Sequence, residues 1–140
     1  MKVLRNILAV VAGLIVGGVI NMALVITSPL VIPPPAGVDV SDPRSLSASM
    51  HLFEPKHFVF PFLAHAVGTL VGALGAYLVA ASHRPVFAYV IGVCFLAGGI
   101  AVARTLPVPA WFVVLDLAAA YVPMAFLGTL LGRGIAGPKS

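Results

Sequence analysis

The chain is predicted to be all-α: a polytopic membrane protein whose four transmembrane helices form a bundle, with a long outer loop that contains a short helix. Three observations lead there. Hydrophobic residues make up 61% and charged residues 9%, against roughly 45–50% and 25% in globular domains. The apolar residues gather into four runs, each near the roughly 20 helical residues that cross a hydrocarbon core of about 30 Å. The few polar residues inside those runs fall at one depth once the helices are threaded back and forth. At 140 residues the chain makes one transmembrane domain, 1–140.

The first helix is expected at about 7–27. Its start, with Lys2 and Arg5 before an apolar run, resembles a secretory signal. No small-x-small cleavage site follows and the apolar run continues through Ile26, so it is read as an uncleaved helix. The outer loop, 28–57, opens with Pro33-Pro34-Pro35, a stiff extended exit. Ser41-Asp42-Pro43 marks a short helix, with a capping side chain just before proline. Leu46, Met50 and Phe53 recur along it at helical spacing, which suits a segment lying on the membrane surface or capping the bundle. It must end near Glu54, because the residue before Pro55 is pushed out of the α region.

The second helix is expected at 58–81. Ser82-His83-Arg84-Pro85 is a tight turn, and Pro85 suits the first turn of a third helix at 86–103. Pro107 and Pro109 punctuate the link to a fourth at 111–131. Pro123 lies half-way along that helix, removes the hydrogen bond to the Ala119 carbonyl and should kink it.

Lys2, Arg5, Arg84, Arg133 and Lys139 fall on the side of the termini, and Arg44, Lys56 and Arg104 on the other. By the positive-inside rule both termini are cytoplasmic. The net charge of +4 then reflects helix ends rather than a basic face, and no nucleic-acid partner is expected. Cys94, the single cysteine, sits in an apolar run and reads as a small packing residue.

Membrane helices associate by close packing and polar contacts, which small residues every fourth position allow. The first helix has Gly13 and Gly17, with Asn21 on the same stripe. The second has Ala64, Gly68, Gly72, Ala76 and Ala80; the fourth has Ala120, Gly128 and Gly132. Spacing leaves open whether these faces meet within one chain or between chains. The leading functional expectation is a non-enzymatic membrane component, surrounded by lipids, that forms a homo-oligomer or joins a larger membrane complex through these faces.

The polar layer carries the alternative. At about 1.5 Å per residue, His65, Asp116 and Asn21 lie roughly 8–10 Å below the outer surface, and Arg104 lies at the outer end of the third helix. Ionisable groups at such depth are costly and tend to act together. The simplest chemistry pairs Arg104 with Asp116 across the short turn, and His65 with Asn21 or with Thr69. Adding His51, Glu54 and His57 from the loop makes an outward-facing site for a metal or an amphipathic ligand such as a lipid headgroup or quinone, with scope for catalysis. Phe58, Phe60, Phe62 and Trp111 would wall such a pocket. The metal candidates are His51, Glu54, His57 and His65. Their spacing matches no recognised metal motif, and His57 and His65 stand about 12 Å apart along one helix axis. No cofactor is strongly implied. Phosphate-loop, dinucleotide, Ser-x-x-Lys and metalloprotease motifs are absent.

The stretch Met50-His51-Leu52-Phe53-Glu54-Pro55-Lys56-His57-Phe58, followed by Phe60-Pro61-Phe62-Leu63-Ala64-His65, resembles small four-helix proteins of the bacterial inner membrane. The resemblance covers the whole chain. It implies that fold and that membrane, and it carries no activity.

Overall fold

The structure, a computed structural model, describes residues 1–137; Lys139, counted above with the cytoplasmic cations, lies outside them. Among the described residues all regular structure is helical. The helices are α1 (Lys2–Val31), α2 (Pro43–Ser49), α3 (Val59–Val79), α4 (Arg84–Thr105), α5 (Ala110–Ala119) and α6 (Val122–Ala136), with 3₁₀ turns at Met50–Leu52 and Pro55–Phe58. Four stretches are long and apolar enough to cross a membrane: Lys2–Val31, Pro55–Val79, Arg84–Thr105 and Ala110–Ala136. The protein is a multi-pass membrane protein, and its exposed Val, Leu and Ile side chains face outward, as a lipid solvent requires.

The first helix is longer than its apolar run suggests. Its 30 residues span about 45 Å, so one end projects beyond a 30 Å hydrocarbon core or the helix tilts. The short loop helix starts as expected: the Asp42 side chain accepts from the Arg44 backbone N–H at 3.0 Å, and Pro43 occupies the first turn. It gives way to a 3₁₀ turn that ends at Leu52. The loop then folds back over the bundle, where Met50, Phe58 and Phe112 form a buried cluster with Leu46, Phe53 and Phe62 around it. We call this the loop end and the opposite end the terminal end.

Helix α3 is the centre of the bundle and packs against α1, α4 and α6. Its small residues let two backbones touch. A Cβ at Gly17 would lie 2.6 Å from the Gly68 carbonyl oxygen, and one at Gly13 2.7 Å from that of Gly72. Gly128 of α6 meets the opposite side of α3, where a Cβ would lie 3.0 Å from the Leu70 carbonyl oxygen. Ala64, Ala76 and Ala80 are fully buried. The small-residue faces are therefore contacts between helices of one chain.

The last span is interrupted rather than bent. α5 ends at Ala119, α6 begins at Val122, and Tyr121 between them has φ −118° and ψ −81°. Pro123 falls in the first turn of α6, where its missing N–H leaves no hydrogen bond unmade. Where α3 turns into α4, His83 adopts the left-handed conformation at φ 46°.

Candidate functional site

Three helices, and the break in the last span, deliver polar side chains to one layer near the loop end. His65 lies two turns into α3 and Asp116 two turns into α5. Their side chains meet: His65 Nδ1 is 2.9 Å from each carboxylate oxygen of Asp116. Tyr121, in the break between α5 and α6, donates its hydroxyl to Asp116 Oδ2 at 2.9 Å. The Tyr121 and His65 rings stack, with centroids 5.7 Å apart and planes 28° from parallel.

Burial sets the chemistry of this trio. Asp116 is 4% exposed and Tyr121 1%. A carboxylate out of water is tolerable only when it is paired and hydrogen-bonded, and here it accepts from an imidazole and a phenol. With Asp116 ionised and the imidazole neutral, the proton between them belongs to His65 Nδ1, and Nε2 carries the free lone pair. Among the described residues Nε2 has no protein partner.

Room for Tyr121 comes from a missing side chain. A Cβ on Gly99 of α4 would run into the Tyr121 ring and hydroxyl. A larger residue at position 99 would push the phenol off Asp116.

Beside the trio lies a cavity of about 310 Å³ between α1 and α4, lined by Asn21, His65, Phe95 and Tyr121 among others. Its edges include Gly18 and Gly98, where a Cβ would meet nothing within 4 Å. Asn21 lines this space and makes no side-chain hydrogen bond among the described residues, so the pairing of His65 with Asn21 is replaced by a cavity that both line. The pairing of His65 with Thr69 is not formed either: Thr69 Oγ1 is buried without a partner.

Two further expectations are corrected. Arg104 does not pair with Asp116; it is exposed at the last turn of α4, and Ala103 rather than Arg104 borders the small gap beside the carboxylate. His51, Glu54, His57 and His65 do not assemble as a metal site: no group of three His, Cys, Asp or Glu side chains converges among the described residues. His51 is exposed in its 3₁₀ turn. His57 Nδ1 accepts the Glu54 backbone N–H at 2.8 Å, which makes it a structural cap at the entry to α3. The Glu54 carboxylate pairs with Lys56 at 3.3 Å in solvent. The Phe58, Phe62 and Trp111 side chains do border a common groove, of about 180 Å³, on the outer side of α3 and α5. That groove is separate from the polar cavity.

Asn21, His65 and Asp116 are thus brought together, with Tyr121 added. Tyr121 was legible only as a polar residue near Pro123. In an unbroken helix it would point away from Asp116; Pro123 marks a disturbance here, but a kink alone does not turn the phenol back onto the carboxylate.

Comparison of the chain with protein-family models, with characterised proteins and with solved structures finds no significant match.

Proposed function

We propose that this protein binds an amphipathic ligand in the membrane, and that the ligand presents a hydrogen-bonding ring, of the quinone or quinol class, to His65 and Asn21. The observation that carries this reading is the pairing of His65 Nδ1 with buried Asp116 beside a 310 Å³ cavity. That volume is at the low end for ligand pockets and suits a single ring with its tail left outside. A quinol hydroxyl would donate to Nε2, and the Asn21 amide offers both a donor and an acceptor to a second oxygen. Phe95 and Tyr121 supply aromatic walls. The glycine edges of the cavity favour entry sideways from lipid between α1 and α4, which a ligand with an apolar tail needs.

Assembly through the small-residue faces is favoured less, because Gly13, Gly17, Gly68, Gly72 and Gly128 already pack against neighbouring helices of the same chain. We further propose that the membrane is a bacterial inner membrane with both termini cytoplasmic. Lys2, Arg5, Arg84 and Arg133 at the terminal end support that orientation.

The test is native mass spectrometry of the full chain in neutral detergent under reducing conditions, titrated with a decyl-tailed benzoquinol and, separately, with decanol. Stoichiometric quinol binding that weakens at least about tenfold in His65→Ala, with decanol not retained, is the expected result. Equal retention of decanol, or quinol binding indifferent to His65→Ala, overturns the proposal.

A further inference from the structure

We infer that His65 makes the cavity select its ligand by redox form under the control of a proton: the neutral imidazole takes the quinol, and the imidazole protonated at Nε2 takes the quinone. The inference rests on the ligand class proposed above and adds how that site is regulated.

The geometry leaves one nitrogen to vary. His65 Nδ1 lies 2.9 Å from both oxygens of Asp116, and Oδ2 also accepts the Tyr121 hydroxyl at 2.9 Å. Nδ1 is therefore committed, whichever of the pair holds the proton between them. A proton added to the pair goes to Nε2, where an N–H bond forms at the free lone pair and no electron is transferred. If the inner proton then sits on the carboxylate, Nε2 still carries the added one. The change at the ligand is the same in both cases: an acceptor becomes a donor. Asp116 already lies against the ring, so an imidazolium finds its counter-charge in place.

The two redox forms of the ligand differ in the same respect. A quinol presents hydroxyl donors, which neutral Nε2 accepts. A quinone presents only carbonyl acceptors, which leave that lone pair buried and unpaired; protonated Nε2 donates to them. Asn21 does not discriminate, because its amide both donates and accepts. Asp116 is not part of the cavity lining, so the ligand meets the ring and not the carboxylate.

Among the described residues no other ionisable group faces His65. On α3 itself, Phe58 to Gly72 holds none besides His65. α1 brings Asn21, and α4 brings Phe95, Gly98, Gly99 and Val102. α5 brings Asp116 and the break brings Tyr121, which are joined to each other. Arg133 is in the last turn of α6, at the terminal end, and Arg104 is exposed. A separate gap of about 20 Å³, room for one water, borders His65 and Asp116 between α4 and α5. No α1 residue lines it, so it offers the proton a way in that does not cross the ligand.

The experiment is native mass spectrometry of the full chain in neutral detergent without oxygen. The protein is titrated with the decyl-tailed benzoquinol, kept reduced, and separately with the matching benzoquinone. Both titrations are run at about pH 8.5 and about pH 5.5, on either side of the ordinary imidazole range. The expected result is a preference of about tenfold for the quinol at the higher pH and about tenfold for the quinone at the lower. Linkage gives a second readout that needs no variant. At intermediate pH, quinone binding takes up protons from a weakly buffered solution and quinol binding releases them. His65→Gln, whose amide both donates and accepts, is expected to bind the two forms alike at both pH values. One preference at both pH values, with quinol binding still dependent on His65, overturns the inference alone. So does an inversion that survives in His65→Gln, or quinone binding without proton uptake; if His65→Gln does not fold, proton uptake by the parent decides. Binding of neither form at either pH overturns the inference together with the reading it rests on.

Discussion

Tyr121 and Asp116 are five residues apart and joined by a 2.9 Å hydrogen bond, although an unbroken α-helix would set them about 140° apart around its axis. The interruption at Ala120 and Tyr121 turns the phenol back toward the carboxylate. One break in backbone geometry thus completes the coordination of a buried charge. Tyr121→Phe keeps the ring and removes the hydroxyl. It is expected to lower stability by about 1.5–3 kcal/mol, the range for a hydrogen bond to a charged group. Thermal unfolding in detergent measures this, and an unaltered midpoint would count against the bond.

Gly17 and Gly18 are neighbours with opposite expectations. A Cβ at Gly17 would lie 2.6 Å from the Gly68 carbonyl, while one at Gly18 would meet nothing. Gly17→Leu should destabilise the monomer by at least the upper part of the roughly 1–3 kcal/mol that overpacking costs. Gly18→Leu should change stability by no more than about 0.5 kcal/mol. If Gly17→Leu altered oligomer size and left the unfolding midpoint alone, its face would join chains rather than helices.

Gly98 tests the sideways entry. Its Cβ position is open, so Gly98→Phe should keep the parent unfolding midpoint while obstructing the mouth of the cavity. Binding of the decyl-tailed benzoquinol is expected to fall about tenfold. Undiminished binding would mean that the ligand enters elsewhere.

Thr69 carries a hydroxyl that is fully buried and unpartnered. An unsatisfied buried polar group costs about 1–3 kcal/mol. Thr69→Val keeps the shape and removes that cost, so the unfolding midpoint should rise. A fall would show that the hydroxyl finds a partner in the membrane-embedded protein.

Asp39, in the loop outside the spans, accepts from the Ser41 hydroxyl at 2.6 Å and from the Ser41 N–H at 2.9 Å. The Ser41 hydroxyl, followed by its N–H, holds the Asp39 carboxyl below its usual value of 3.8. The folded-state value is depressed, so the turn's contribution is present above about 3.8 and is lost as pH falls through the lower folded value. Carboxyl titration followed by NMR should show Asp39 titrating at higher pH in Ser41→Ala than in the parent; coincident curves would refute the assignment.

Much of the architecture is readable along one dimension. Hydropathy locates the four spans, Asp42-Pro43 marks the start of the loop helix, and the rise per residue places Asn21, His65 and Asp116 at one depth. Depth does not tell which way a side chain points around its helix. Arg104 is near the right level and is exposed, whereas Tyr121 reaches Asp116 only because the last span breaks. The loop residues show the same limit. Pro55 makes the path between His51, Glu54 and His57 irregular, and His57 Nδ1 ends as a cap rather than a ligand.

The sequence by itself determined the solvent of this protein, the number of its spans and the layer in which its ionisable groups lie, because these follow from the transfer energy of each run of residues and the fixed rise of a helix. Only the tertiary structure decided that Asp116 takes His65 and Tyr121 rather than Arg104, and that the glycines of α1 and α3 meet each other. Those outcomes depend on helix rotation and backbone breaks, which are set by how neighbouring helices pack and not by the order of residues along any one of them.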